Sequence, residues 1–325
     1  MTSLHADHVQ ETALPLIDIS RLHGNAAERQ AMLAQLRKAS LDTGFFYITG
    51  HGVPPALIAQ MFAQAKTFFG RPMEEKLRVN AANTSCRHGY EPLREQTLEP
   101  DTPPDLKEGY LMGLDLPSDH PIVRLDPDNY GPNQWPQGLD AFAPVMTDYF
   151  QEMLRVSQEV LHALAFTLDL PSDYFDAFCD MPVSTLRLLH YPTQPEKPLP
   201  GEKGCGAHTD WGAVTILLQD DAGGLQVQSG TRGWVHATPI SGSFIVNIGD
   251  LMARWTNNLY RSTLHRVINT SGRDRYSIPF FFDGRSDFRV ACIPSCLATG
   301  DSPRFAPVTV QEHLVEMVRR TYAAA

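Results

Sequence analysis

In the stretch "GAHTDWGAVTILLQDD", Gly206 to Asp221, a histidine and an aspartate stand two residues apart and lead into an alternating apolar run. Side chains of an extended chain alternate with period two, so His208 and Asp210 project from one face and can grip one ion. Imidazole nitrogen and carboxylate oxygen together suit a divalent first-row metal. Two ligands hold an ion weakly, and the best third candidate is His265 in the strand-like "YRSTLHRVIN". Taken alone, a His-x-Asp pair is commonplace and either residue could be a cap or a surface group. The residues that follow His265 give the pair its weight.

Two histidines and one carboxylate on one face of a metal leave open positions, the facial triad of non-haem Fe(II) oxygenases. Ten residues beyond His265, "RYSIPFFFD" carries Arg275 and Ser277 on one face of a strand. A guanidinium fork binds a carboxylate bidentately and a hydroxyl adds one donor, so the pair suits a carboxylate anchor. A dicarboxylic co-substrate could chelate the metal at one end and be held here at the other. In "TLRLLHYP", Arg187, Leu189 and Tyr191 share one face while Leu186, Leu188 and His190 share the other. Either face could look inward. A buried arginine is costly unless an anion meets it, which makes Arg187 and Tyr191 candidates to flank a ligand carboxylate and His190 a packed non-ligand histidine.

These residues need a scaffold of short strands. After Met181 the texture becomes alternating runs broken by Gly, Pro and Asp, namely "TLRLLHYP", "AVTILLQ", "GLQVQ", "GWVHATP", "SFIVNIGD", "LHRVIN" and "YSIPFFFD". Such spacing predicts an antiparallel sandwich or barrel, the jelly roll being one solution. Upstream, "AAERQAMLAQLRKAS" reads as a helix, "FFYITG" as a strand and "PALIAQMFAQAKTFFG" as a second helix stopped by Gly70. Residues 80–137 are rich in Pro, Asp, Gly and Arg with weak periodicity, which predicts long covering loops. From Asp140 to Leu170 the apolar residues recur at helical spacing until Pro171, predicting a long helix behind the sheet. "TVQEHLVEMVRRTYA" predicts a C-terminal helix.

Composition narrows the partners. The chain has 325 residues, 42% hydrophobic and 20% charged, with a formal net charge of −10. An acidic balance argues against a nucleic-acid partner, which needs a concentrated Lys/Arg surface. Nowhere do about 18 apolar residues run together, so no membrane span is expected. The first twenty residues lack a basic-then-apolar leader, and the five cysteines, odd in number and without a Cys-x-x-Cys pair, read as reduced thiols. A cytoplasmic protein with a small-molecule substrate is expected.

"GAHTDWGAVTILLQDDAGGLQVQ", "GWVHATPISGSFIVNIGDLMARWTNNLYRSTLHRVIN" and "RYSIPFFFD" together resemble the isopenicillin N synthase-like branch of Fe(II)/2-oxoglutarate-dependent oxygenases. "LPLIDISRL", "TGFFYITGHGVP" and "GYEP" are similar to that branch's N-terminal region, so the resemblance spans about residues 14–290. It implies a mainly β fold with flanking helices: a double-stranded β-helix (jelly-roll) core over 181–290, an α/β N-terminal region with substrate-covering loops over 1–135, a backing helix within 136–180 and a C-terminal segment over 291–325.

Carried over residue by residue, the resemblance makes His208, Asp210 and His265 the Fe(II) ligands. Arg275 and Ser277 become the anchor for the distal carboxylate of 2-oxoglutarate, with Tyr191 and Arg187 assisting. The segments "CRHGYEP" and "DLKEGYLMG" point to Arg87 and Tyr110 as substrate-side residues, joined by Trp211 and Phe281. The expected activity consumes 2-oxoglutarate and O2, releases succinate and CO2, and oxidises a small molecule, hydroxylation being the default outcome. An oxidase that does without 2-oxoglutarate, as isopenicillin N synthase does, and an ethylene-forming type of activity are the alternatives left open.

Overall fold

The computed structural model describes residues 14–230, 233–298 and 300–322. Residues 1–13, on which the leader expectation rested, and Ala323, the last residue of the predicted C-terminal helix, lie outside them. The first element, β1 (Leu16–Asp18), leads to α1 (Ala26–Asp42). This helix opens on a capping box in which Asn25 Oδ1 accepts from the Glu28 N–H and Glu28 Oε2 accepts from the Asn25 N–H, satisfying two otherwise orphaned donors. Gly44 then turns the chain at φ +67°, where a side chain would strike the Arg261 carbonyl, and releases it into β2 (Phe45–Thr49). Pro55 stands at the first position of α2 (Pro55–Phe69), where its missing N–H costs nothing.

The next hundred residues hold α3 (Met73–Leu77), β3 (Gly89–Glu91), β4 (Glu108–Met112), α4 (Pro121–Leu125) and the long α5 (Phe142–Thr167), followed by α6 (Asp176–Cys179). The region predicted as loops therefore contains two strands. They are three and five residues long, too short for a period-two signal to stand out from sequence.

The C-terminal half supplies β5 (Val183–Tyr191), β6 (Cys205–His208), β7 (Val214–Gln219), β8 (Leu225–Ser229), β9 (Gly233–His236), β10 (Phe244–Ile248), α7 (Asp250–Trp255), β11 (His265–Val267) and β12 (Arg275–Gly284). A small hairpin, β13 (Arg289–Val290) with β14 (Val308–Thr309), precedes α8 (Val310–Tyr322). Every strand expected after Met181 is present.

Two sheets face one another. The larger has eight strands in the order β1-β2-β10-β7-β12-β5-β4-β3, and the smaller has four in the order β6-β11-β8-β9. Strands of the N-terminal region thus extend the larger sheet at both edges: β2 pairs with β10 and β4 with β5. The outer face of the large sheet is covered by α1, α2 and α5. Along β12, Ile278, Phe280 and Phe282 enter the helix-side core, where Phe150 of α5 meets Phe280 edge-to-face with ring centroids 5.2 Å apart. The opposite parity, Arg275, Ser277, Pro279 and Phe281, lines the space between the sheets. A second apolar cluster, including Phe45, Leu189, Leu225, Val227 and Val267, packs there.

Candidate metal centre

The small sheet brings the three candidate ligands together. His208 at the end of β6 and His265 at the start of β11 are directly paired positions of adjacent antiparallel strands. Asp210 follows two residues after His208. Its Oδ1 lies 3.7 Å from His208 Nε2 and 3.6 Å from His265 Nε2. One ligand atom from each residue falls within 4.8 Å of the others, the one such group among the described residues.

Each ligand atom is aimed by a second bond. His208 Nδ1 sits 2.8 Å from the Gly206 carbonyl and His265 Nδ1 3.2 Å from the Thr263 carbonyl. A carbonyl only accepts, so each Nδ1 carries the proton and each Nε2 presents its lone pair inward. Asn247 Nδ2 donates to Asp210 Oδ2 at 2.7 Å, leaving Oδ1 for the centre. The turn after Asp210 is pinned by the Asp250 N–H on the Asp210 carbonyl, 2.8 Å. Gly249 allows this approach, because a side chain there would meet the Gly212 carbonyl at 2.2 Å.

Protonation suits a cation. Burial, helped by the neighbouring His208, pushes His265 down to about 4, and burial lowers His208 as well. Burial alone would raise Asp210, but His265 and His208 beside it, with bonds from Thr215 and Asn247, hold it below the usual carboxylate range. Two neutral imidazoles and one carboxylate are the forms a divalent metal takes.

Across the cavity, Arg275 is fully buried. Its Nε donates to the Gly223 carbonyl at 2.5 Å and its Nη1 to Ser277 Oγ at 3.0 Å. The guanidinium lies over the Tyr191 ring, 4.7 Å from its centroid. Among the described residues no carboxylate pairs with Arg275. A buried guanidinium without a counter-ion is costly, and a ligand carboxylate would supply one. The triad, Arg275, Ser277, Tyr191, Arg187 and Phe281 all line one cavity.

The register settles which face of β5 looks inward. Arg187, Leu189 and Tyr191 line the cavity, and Arg187 meets its anion requirement through Glu91 of β3, with Gln96 at 3.4 Å. His190 faces the helices, its Nδ1 2.8 Å from Glu108 Oε1 and its ring stacked on Tyr276.

Three of the substrate-side expectations fall elsewhere. Tyr110 of β4 pairs with Leu188, so it shares the helix-facing side, buried against Phe68 and Phe142 with its hydroxyl on the Gln134 carbonyl. Trp211 directly follows the inward-pointing Asp210 and turns the other way, packing partly buried against the helix-side core, while its carbonyl meets His313 Nε2 of α8 at 2.9 Å. Arg87 is exposed in the loop before β3 and does not line the cavity. Lys107, which sequence reasoning passed over, does line it. The signal was present in "DLKEGY": Lys107 has the opposite parity to Glu108 and Tyr110.

Comparison with known proteins fits this geometry. Residues 14–138 match the family described as non-haem dioxygenase in morphine synthesis N-terminal, and residues 182–284 match the 2OG-Fe(II) oxygenase superfamily. A 2-oxoglutarate-Fe(II) type oxidoreductase of Emericella nidulans, hxnY, is 41% identical over 97% of this chain and 92% of its own. The chain belongs to the Fe(II)/2-oxoglutarate-dependent oxygenase superfamily. Among solved structures, a full-length Neurospora crassa protein in complex with alpha-KG superposes on this dioxygenase with a TM-score of 0.85 at 32% identity, covering 97% of this chain and 98% of that one. The same protein has been solved with alpha-KG and thymine. A putative 2OG-Fe(II) oxygenase family protein of Caulobacter crescentus gives a TM-score of 0.84 at 30% identity, covering 95% of this chain and 99% of that one. The enzyme therefore uses Fe(II) and 2-oxoglutarate on a jelly-roll core, and none of its described helices is long and apolar enough to cross a membrane.

Proposed function

We propose that this dioxygenase hydroxylates a small molecule, with His208, Asp210 and His265 holding Fe(II) and with Arg275 and Ser277 holding the distal carboxylate of 2-oxoglutarate. The observation that carries the assignment is the Arg275 guanidinium, buried without a counter-ion and opening on the same cavity as the triad. Bound iron supplies the activation of O2 that is coupled to decarboxylation of 2-oxoglutarate to succinate and CO2.

The chain's own residues position and exclude. Asn247, Gly206 and Thr263 orient the ligand atoms through their hydrogen bonds, the role outer partners of metal ligands play. Ser277 and the Tyr191 ring hold the guanidinium of Arg275 in place. Leu98, Leu217, Pro279 and Phe281 give the rest of the cavity an apolar lining, which keeps water from the reacting centre and suits a substrate that presents an apolar face. We place Phe281 on the substrate side for this reason, and keep Arg187, paired with Glu91, as an assisting group for 2-oxoglutarate on the same cavity wall. Binding of thymine by the Neurospora protein supports a small, flat ring as the kind of molecule to screen.

The test is an anaerobic titration of the Fe(II) enzyme with 2-oxoglutarate, read by the visible charge-transfer band of the chelate. The wild type should show the band at saturable concentration, and Arg275→Met should need far more co-substrate. A screen for small molecules that stimulate succinate release then identifies substrates. An Arg275→Met enzyme that binds 2-oxoglutarate like the wild type would defeat the assignment of the anchor.

A further inference from the structure

The iron-facing cavity contains a further buried cation. Lys107, the residue before β4, has a side chain only 3% exposed and faces the cavity beside Tyr191, Cys205 and His208. Its Nζ donates to Asp105 Oδ2 at 2.5 Å and reaches Cys205 Sγ at 3.3 Å. Asp105 is itself fixed, since its Oδ1 accepts the Gly206 N–H at 2.8 Å, two residues from His208. The ammonium is thereby held against β6, in the cavity that Arg275 and the triad also line.

Three considerations point to a ligand. An ammonium has three donors. Asp105 takes one strongly, a thiol is a weak acceptor for the second, and no described residue is bonded to the third. Burying an ammonium costs several kcal/mol, and an aliphatic side chain would close the same wall without that cost. Burial opposes the charge, yet the sulfur of Cys205 and the Asp105 carboxylate hold Lys107 above the ordinary lysine range, so it is a cation in the folded enzyme.

The charges also match a dianion. Arg275 offsets one carboxylate of 2-oxoglutarate, and the excess positive charge of Fe(II) over Asp210 offsets the other. Asp105, buried so near, would repel that dianion if it stood alone. Lys107 cancels the repulsion and retains a donor to spare.

We propose that Lys107 is a positioning residue for the co-substrate, its remaining N–H donating to a carboxylate oxygen of 2-oxoglutarate in the cavity that Lys107 shares with Arg275 and the candidate iron ligands. This rests on the proposed function above. The rival role is purely structural, with Lys107 present only to neutralise Asp105.

Two variants separate the roles. Lys107→Met leaves Asp105 buried and unpaired and should weaken 2-oxoglutarate binding most. The double variant Lys107→Met with Asp105→Asn removes both charges, keeps an acceptor for the Gly206 N–H and leaves no unpaired ion to unfold the protein. Loss of one charge-assisted hydrogen bond predicts that the double variant binds 2-oxoglutarate about tenfold or more weakly in the anaerobic titration. Its Fe(II) affinity, measured without co-substrate, should match the wild type. Recovery of wild-type 2-oxoglutarate affinity in the double variant would overturn the proposal and leave Lys107 a structural counter-ion. A wild-type enzyme with no 2-oxoglutarate band would instead defeat the proposed function, so the two failures are distinct.

Discussion

His208 and His265 face each other across one rung of the β6–β11 pair, their rings 4.3 Å apart. Two imidazoles that close in a buried site disfavour protonation of one another, and Asp210 lies within 3.7 Å of both. The cluster holds together best around a cation.

Metal affinity should depend on Asn247, which touches no metal. Its amide is the donor that turns Asp210 Oδ1 toward the histidines. Asn247→Leu should lower Fe(II) affinity by about 10- to 100-fold, as loss of such an outer partner commonly does, measured by competition with a coloured chelator. Unchanged affinity would show that Thr215 alone orients the carboxylate.

Arg275 should set stability and binding in opposition. Arg275→Met removes a buried cation without a counter-ion, so the enzyme without co-substrate should melt at the same temperature or higher. Each charge-assisted bond lost to the carboxylate costs roughly 1.5–3 kcal/mol, so 2-oxoglutarate binding should weaken by tenfold or more. A large fall in the melting temperature would make Arg275 chiefly a structural residue.

Acid stability should be governed in part by His88, buried beside Gly113. Burial pushes its imidazole down to about 4, against an ordinary value of 6.5. Between those values the unfolded chain binds the proton and the folded chain does not, so stability falls as pH drops from 6.5 toward 4, by up to roughly 3 kcal/mol. His88→Gln should flatten the curve of melting temperature against pH in that window, and a slope equal to the wild type's would show that His88 is not the group responsible.

The Glu108 cluster should be a stability element. Glu108 accepts from Lys76 and from Tyr90, each at 2.6 Å, and lies 2.8 Å from His190 Nδ1, all on the helix side of β4 and β5. Glu108→Ala leaves Lys76 buried and uncompensated and should cost about 3–5 kcal/mol in denaturant unfolding. Lys76→Met combined with Glu108→Leu should recover much of the loss. No recovery would mean that packing, rather than the unpaired charge, dominates.

Parity along single strands was readable without coordinates. That Arg275 and Ser277 share a face, that Arg187 and Tyr191 share one, and that His190 opposes them all follow from alternation within a few residues, and the structure keeps each grouping. The helices at α1, α2, α5 and α8 were legible for the same local reason, since each repeats its apolar residues over several turns.

Alternation says which side chains travel together and not which way they look. The pairing of Tyr110 with Leu188, the turn that points Trp211 away from the cavity and the exposure of Arg87 are set by strand neighbours and turns. The same register brings Lys107 to the cavity that His208 lines although the two are far apart in the chain. The sequence by itself determined the candidate ligand types, the Arg275 and Ser277 pairing on one face and the strand texture, because each is a matter of residue type and alternation within a segment. The tertiary structure decided what else meets at the iron-facing cavity, because sheet order and register are chosen by burial summed over the whole core, which no single segment carries.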